Sequence, residues 1–214
     1  MNAVTLKQDR RAREKQELRT RILDAARQLF TKEGYDAVTM REVARKIQYT
    51  ATALYYHFPD KESLLIELCR QDFLALAGYL RRLGRSSDPV EQIRKMGLAY
   101  VNFGLEFPQH YRLMFMTPLP PTPTDRAGIQ HGNPDQDAYA FLRTAVEEAI
   151  AARRFRPEIK DAEQVAQMFW AGVHGLITLH LVKANDDWFD WRPAKRTARV
   201  LIDTMLRGVL RNPV

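Results

Sequence analysis

The sequence predicts an all-α protein of about nine helices. A three-helix head over residues 1–60, carrying a helix-turn-helix, precedes a larger helical domain over 61–214. Three observations lead there. Apolar residues recur at offsets of three and four along most of the chain, helix-start signatures stand in front of those stripes, and no segment keeps the alternation of a strand. Of the 214 residues, 45% are apolar and 28% charged, which supports a packed core and argues against wholesale disorder.

The elements follow in order. Leu18, Ile22, Ala25, Ala26, Leu29 and Phe30 form one helical stripe, and Gly34 after Glu33 suits a left-handed cap. Thr39 and Glu42 form a capping box for a short second helix ending near Ile47. Thr50 caps a third helix to about His57, which Phe58-Pro59 stops. Asp60 opens a long helix through Leu64, Leu68, Leu76 and Leu80, broken at Gly84 to Ser87. Asp88-Pro89 starts a helix over 88–106, and Pro108 divides it from one over 109–116. Residues 117–134 hold five prolines and two glycines and read as a loop. Helices over roughly 135–153, 158–183 and 193–211 complete the chain.

Charge points to a polyanion at one end. The net charge is +7, and residues 1–61 hold 13 Lys/Arg against 8 Asp/Glu, whereas 62–214 hold 20 against 18. Arg10, Arg11, Arg13 and Lys15 read either as a solvated tail or as a basic arm laid on nucleic acid. The first seventeen residues contain no apolar run, so no secretory signal is expected. The apolar stretch Val165 to Val182 is interrupted by Gln167, His174, Thr178 and His180. It reads as a soluble helix buried on two faces, with no membrane partner and a cytoplasmic location expected.

Catalysis finds no support. There is no H-E-x-x-H, no phosphate-cradling glycine loop, and Cys69 is the single cysteine. His174 and His180 are six apart, on different helical faces, and Asp186, Asp187 and Asp190 read as a solvated turn. The sequence therefore predicts no enzyme, no metal and no cofactor. A helical adaptor that does not bind DNA is the competing class.

The second and third helices, joined by a tight turn, give a helix-turn-helix whose exposed member fits a major groove. That member is Thr50-Ala51-Thr52-Ala53-Leu54-Tyr55-Tyr56-His57, with Ala53 and Leu54 inward against Val43 and Ala44. Small and hydroxylic residues at Thr50, Ala51 and Thr52 leave the backbone free to approach bases. Tyr55, Tyr56 and His57 can hydrogen-bond phosphates, which position a protein without reading sequence. The competing reading puts Tyr55 or Tyr56 in the core; Phe58 reads as core.

The stretch Ile22 to Leu65 resembles the DNA-binding domain of the tetracycline-repressor (TetR) family of bacterial transcription regulators. The pieces are Gly34-Tyr35, Thr39-Met40-Arg41, Val43-Ala44, Leu54-Tyr55-Tyr56-His57-Phe58 and Lys61-Glu62. The resemblance implies phosphate contacts from Thr39, Tyr55, Tyr56, His57 and Lys61, base reading by Gln48, Tyr49, Thr50, Ala51 and Thr52, and Arg41 within the DNA-binding set. Most members carry glycine in the turn where this chain has Gln48, and a small aliphatic where it has Tyr49. The expectation is therefore a non-standard turn in which Gln48 and Tyr49 themselves reach DNA.

Phe169-Trp170-Ala171-Gly172-Val173-His174-Gly175 is similar to the Trp-His-Gly signature of one C-terminal domain class of that family, which implies effector sensing and dimerisation. Ala171, Gly172 and Gly175 permit close helix approach, and helices 158–183 and 193–211 from two chains would form a four-helix interface. Trp170 and His174, four apart, share a helical face. They either line an effector pocket with Tyr100, Phe103, Tyr111, Phe115 and Phe141 or serve core and interface packing. The sequence thus predicts a homodimeric regulator, a repressor released from a palindromic duplex operator by a small-molecule effector. An activator of the same fold is the alternative.

Overall fold

A computed structural model describes residues 3–118 and 128–211, with side chains from Gln8 onward. Residues 119–127, half of the predicted 117–134 loop, lie outside the described residues. Nine helices are present among the described residues: α1 (Ala3–Glu33), α2 (Met40–Lys46), α3 (Ala51–His57), α4 (Lys61–Arg81), α5 (Pro89–Glu106), α6 (Pro108–Phe115), α7 (Ala138–Ala151), α8 (Ala162–Lys183) and α9 (Ala194–Val209). The one β feature among them is an isolated bridge between Phe155 and Leu210. The chain divides into two compact units, 1–71 with 112–127, and 72–111 with 128–214.

The first unit is organised by the apolar face of α1. Ile22, Leu23, Ala26 and Phe30 are buried with Val38, Val43, Ala44, Leu54, Phe58, Leu64, Leu65 and Leu68 in one core. The stripe read from the sequence is therefore the floor on which α2, α3 and the start of α4 rest. Its helix is much longer than that stripe, because the polar run from Ala3 to Glu17 is also helical. That run is rich in strong helix formers and carries an Arg10–Glu14 pair at i, i+4. The segment around Arg10 to Lys15 is thus part of a continuous helix and not a frayed tail. Gly34, at φ +86°, ends α1 in the left-handed conformation that glycine adopts cheaply.

Caps set the next boundaries. Glu42 N–H donates to Thr39 Oγ1 at 3.3 Å, and the Glu42 carboxylate accepts from Thr39 N–H at 2.7 Å. Hydrogen bonds from the Thr39 amide and hydroxyl to this exposed carboxylate hold its pKa below the usual range. Thr50 Oγ1 accepts from Ala53 N–H at 3.2 Å to start α3, and Asp60 accepts from Ser63 N–H at 2.6 Å to start α4.

In the second unit α5 packs against α7, α8 and α9, with α8 also against α7 and α9. Asp88, Asp137 and Asp161 cap α5, α7 and α8. Within the single chain α8 buries one of the two faces expected. Val165, Ala166, Phe169, Val173 and Ile177 are buried, while Met168, Ala171, Leu179 and Val182 on another face are exposed. By length and composition α8 could cross a membrane, yet its polar interruptions and buried stripe are those of a bundle helix. Of the three small residues on α8, Gly172 makes the close approach: a Cβ there would lie 2.7 Å from Met205 Sδ, whereas Gly175 meets nothing within 4 Å.

Gly104 marks a close approach between α5 and its neighbours. A Cβ there would stand 2.7 Å from Ile177 Cγ2 and 3.1 Å from the Tyr111 ring. Gly104→Ala is expected to cost about 1–3 kcal/mol by overpacking, read as a lowered thermal midpoint; an unchanged midpoint would contradict this packing.

Candidate nucleic-acid interface and aromatic hub

The helix-turn-helix divides seven residues of α3 between core and solvent. Leu54 is fully buried and Phe58, just beyond the helix, nearly so, whereas Tyr55 is 49% and Tyr56 75% exposed. The core reading of the two tyrosines is therefore corrected. Thr50 and Thr52 are exposed and Ala51 is half-buried, so the start of α3 offers a low, hydroxylic surface. Thr39 and Arg41 at the start of α2 are exposed as well.

The turn between α2 and α3 keeps a regular geometry despite Gln48. Ile47 is the C-cap, and Gln48 takes φ +61°. Gln48 N–H donates to the Arg45 carbonyl at 3.1 Å and Tyr49 N–H to the Ala44 carbonyl at 2.9 Å. That pair of bonds is a Schellman closure, which normally recruits glycine. The expected departure thus lies in the residue that occupies the turn, not in its shape.

Three cations of α1, among them Lys15 of the basic run, buttress this surface. Arg21 donates to the Ile47 carbonyl at 3.1 Å and lies 5.3 Å over the Tyr49 ring. Arg19 donates to the His57 carbonyl at 3.3 Å and sits 4.3 Å over Phe58. Lys15 Nζ is 5.2 Å over the Tyr56 ring. Lys15 and Arg19, four apart, lie on one face of α1, so the i, i+4 spacing carried the signal for these two. Burial, then the charges of Lys15 and Arg19, push the His57 pKa down. A neutral His57 brings a single N–H to a phosphate, and its Nδ1 is buried with no partner among the described residues.

Lys61, which the resemblance places among the phosphate contacts, is engaged by backbone carbonyls within the chain. Its ammonium donates to the carbonyls of Tyr35 at 2.9 Å and Val38 at 3.0 Å, with Asp36 at 3.5 Å. It also lies 4.2 Å over the Tyr35 ring. Its three protons are engaged in pinning the α1–α2 loop to α4. Lys61→Met should cost about 1–3 kcal/mol by leaving carbonyls unpaired, seen in urea unfolding. Unchanged stability with weakened DNA binding would instead favour a direct phosphate role.

In the second unit, four predicted pocket residues form a hydrogen-bonded hub. Trp170 Nε1–H donates to Tyr100 Oη at 3.1 Å, Tyr100 O–H to Tyr111 Oη at 3.2 Å, and Tyr111 O–H to His174 Nδ1 at 2.6 Å. His174 Nε2 lies 3.4 Å from Thr178 Oγ1. This order requires the tautomer with the proton on Nε2. Burial pushes the Tyr100 phenol up to about 12 and Tyr111 higher still, so both remain donors. Phe103 is buried beside Tyr79 and Phe107, and Phe141 is half-buried on α7. Phe115, at the end of α6, falls in the first unit. Trp170 is 37% exposed and lies against Tyr139, giving the hub an outer edge. On α6, His110 Nδ1 lies 2.9 Å from the fully buried Asp72 carboxylate of α4.

Burial lowers the His174 pKa below 6.5. The unfolded chain therefore binds a proton at this site more readily than the folded one, and stability falls as pH drops below about 6.5. His174→Asn should flatten that decline in thermal midpoints between about pH 6.5 and 5; an identical pH dependence would exclude a neutral hub histidine.

The chain is similar to known proteins in sequence and fold. Residues 22–68 match the family described as bacterial regulatory proteins, tetR family, and residues 93–205 match the tetracyclin repressor-like C-terminal domain. The transcriptional regulator UidR of Escherichia coli is 32% identical over 93 residues, 44% of this chain and 42% of its own. The transcriptional repressor AcnR of Corynebacterium glutamicum is 32% identical over 96 residues, 45% of each chain. The matched region thus spans less than half the length of these curated relatives. A solved structure of a protein of unknown function from Rhodococcus sp. RHA1 superposes with a TM-score of 0.71 at 26% identity, covering 91% of this chain and 96% of that one. With its C-terminal match alone covering more than half of its length, and its reading head matched separately, this chain belongs to the TetR family of bacterial regulatory proteins.

Proposed function

We propose that the protein is a sequence-specific, DNA-binding transcription regulator: a cytoplasmic, non-enzymatic repressor that binds a palindromic operator as a homodimer and leaves it when a small-molecule effector binds. One observation carries this reading. A seven-residue helix anchored by Leu54 and Phe58 turns Tyr55, Tyr56, Thr50 and Thr52 to solvent, beside cations of α1. Such a helix presents small side chains to base edges at its start and phenols to phosphates farther along. The repressor sign draws on the name of the Corynebacterium relative.

Dimerisation follows from two independent considerations. The exposed apolar face of α8, with Met168, Leu179 and Val182, needs a cover. One short helix reads few bases, and a two-fold pair spaced about 34 Å apart reads two successive major grooves. For the effector, the hub offers polar atoms in an apolar setting, the usual character of small-molecule sites. Tyr111 and His110 are consecutive on α6, one engaged with His174 and the other with Asp72 of α4. A ligand that displaces His174 or Trp170 would act on α6 and through it on α4, the helix that follows the reading head in the chain. The energetic requirement is that the ligand bind the displaced arrangement more tightly than the resting one.

Mobility shift of full-length protein on genomic fragments tests this reading. A subset of fragments should stay bound at about 100 mM salt, because base contacts survive the screening that removes non-specific attraction. Tyr56→Phe should weaken all fragments alike, and Lys15→Gln should lower the slope of log affinity against log salt by about 0.9. Loss of every complex at that salt, without preference among fragments, would favour the adaptor reading.

A further inference from the structure

The turn before α3 is strained, braced and exposed. Gln48 is at φ +61°, where an L side chain crowds its own carbonyl and glycine does not. The side-chain amide of Gln48 adds no hydrogen bond to offset that cost among the described residues, and the residue is exposed. What fixes the conformation is backbone and neighbours. The two Schellman hydrogen bonds close the turn from within, while Arg21 grips the Ile47 carbonyl on one side and stacks over Tyr49 on the other. The residues flanking Gln48 are thus both held by one guanidinium. Gln48 itself stands two positions before Thr50, the cap of the exposed helix.

We infer that Gln48 is a specificity-determining residue that reads an adenine in the major groove. The inference rests on the DNA-binding reading given above. A primary amide offers an acceptor and a donor side by side, the complement of adenine N7 and the adenine amino group. Braced on both sides, the backbone delivers that amide from a fixed point, and less freedom is lost on binding. Left-handed strain in an otherwise relaxed reading head is the cost of placing a side chain where glycine would place none. Arg21 and Tyr49 act as positioning residues, since they hold the turn and the side chain of Gln48 makes the contact.

Selection of full-length protein on randomised duplex DNA, together with thermal unfolding, tests this. The wild type should show an adenine preference at one position of each half-site. Gln48→Gly relieves the strain while keeping the turn, so its unfolding midpoint should rise by about 1–4 °C. Its discrimination at that one position should fall by roughly five- to a hundredfold, with the rest of the profile and the salt slope intact. Gln48→Asn tolerates the same conformation on a shorter stem and should lose the same preference. Uniform weakening across all sequences with a reduced salt slope would make Gln48 a phosphate contact and overturn the inference. So would an unchanged preference profile in both variants. A wild type with no sequence preference at all would instead overturn the regulator reading on which this one rests.

Discussion

The architecture of the reading head depends on how α3 partitions its short length. Leu54 and Phe58, four residues apart, enter the core that α1 floors with Ile22, Leu23, Ala26 and Phe30. Because those two anchors fix the rotation of a helix only seven residues long, Tyr55 and Tyr56 have no choice but to face outward. An isolated helix of that length would not form in water. Its existence, its orientation and its exposed chemistry all follow from burial of one apolar edge, helped by the Thr50 cap.

Cations then act in two different ways around that helix. Lys61, Arg19 and Arg21 use their charge inward, on carbonyl groups at helix ends and loops, where a cation is favoured by the local dipoles. Their stems and planes also cover aromatic rings, so each contributes packing along with charge. Lys15 sits farther out over Tyr56 and adds positive potential at the solvent edge. Burial, joined by the same charge that suits a polyanion, pushes the His57 pKa down. In the second unit, burial keeps His174 neutral too, and there the neutral ring is what lets a chain of donors from Trp170 end on Thr178.

Much of this was legible in the residues. The capping box at Thr39 and Glu42, the cap at Thr50 and the proline start after Asp88 each leave a local signature, and each sits where its signature placed it. The hub was half legible: Trp170 and His174 share a face by spacing alone, whereas their union with Tyr100 and Tyr111 is tertiary. Other features were not readable for identifiable reasons. The helix over Ala3 to Glu17 has no apolar stripe and rests on propensity. Lys61 looks like any solvent lysine until the fold brings three carbonyls to it. The exposed face of α8 cannot be told from a buried one by composition. At Gln48 the sequence signalled an irregularity, and the backbone absorbed it without changing the turn.

Backbone amide hydrogen exchange of the full-length protein, with and without duplex DNA that it selects, tests the central claim most directly. If α3 enters the groove, DNA should slow exchange across residues 48–57 and at the start of α2 near Thr39. Protection confined to other helices, or none at all under conditions where the complex is saturated, would contradict the account.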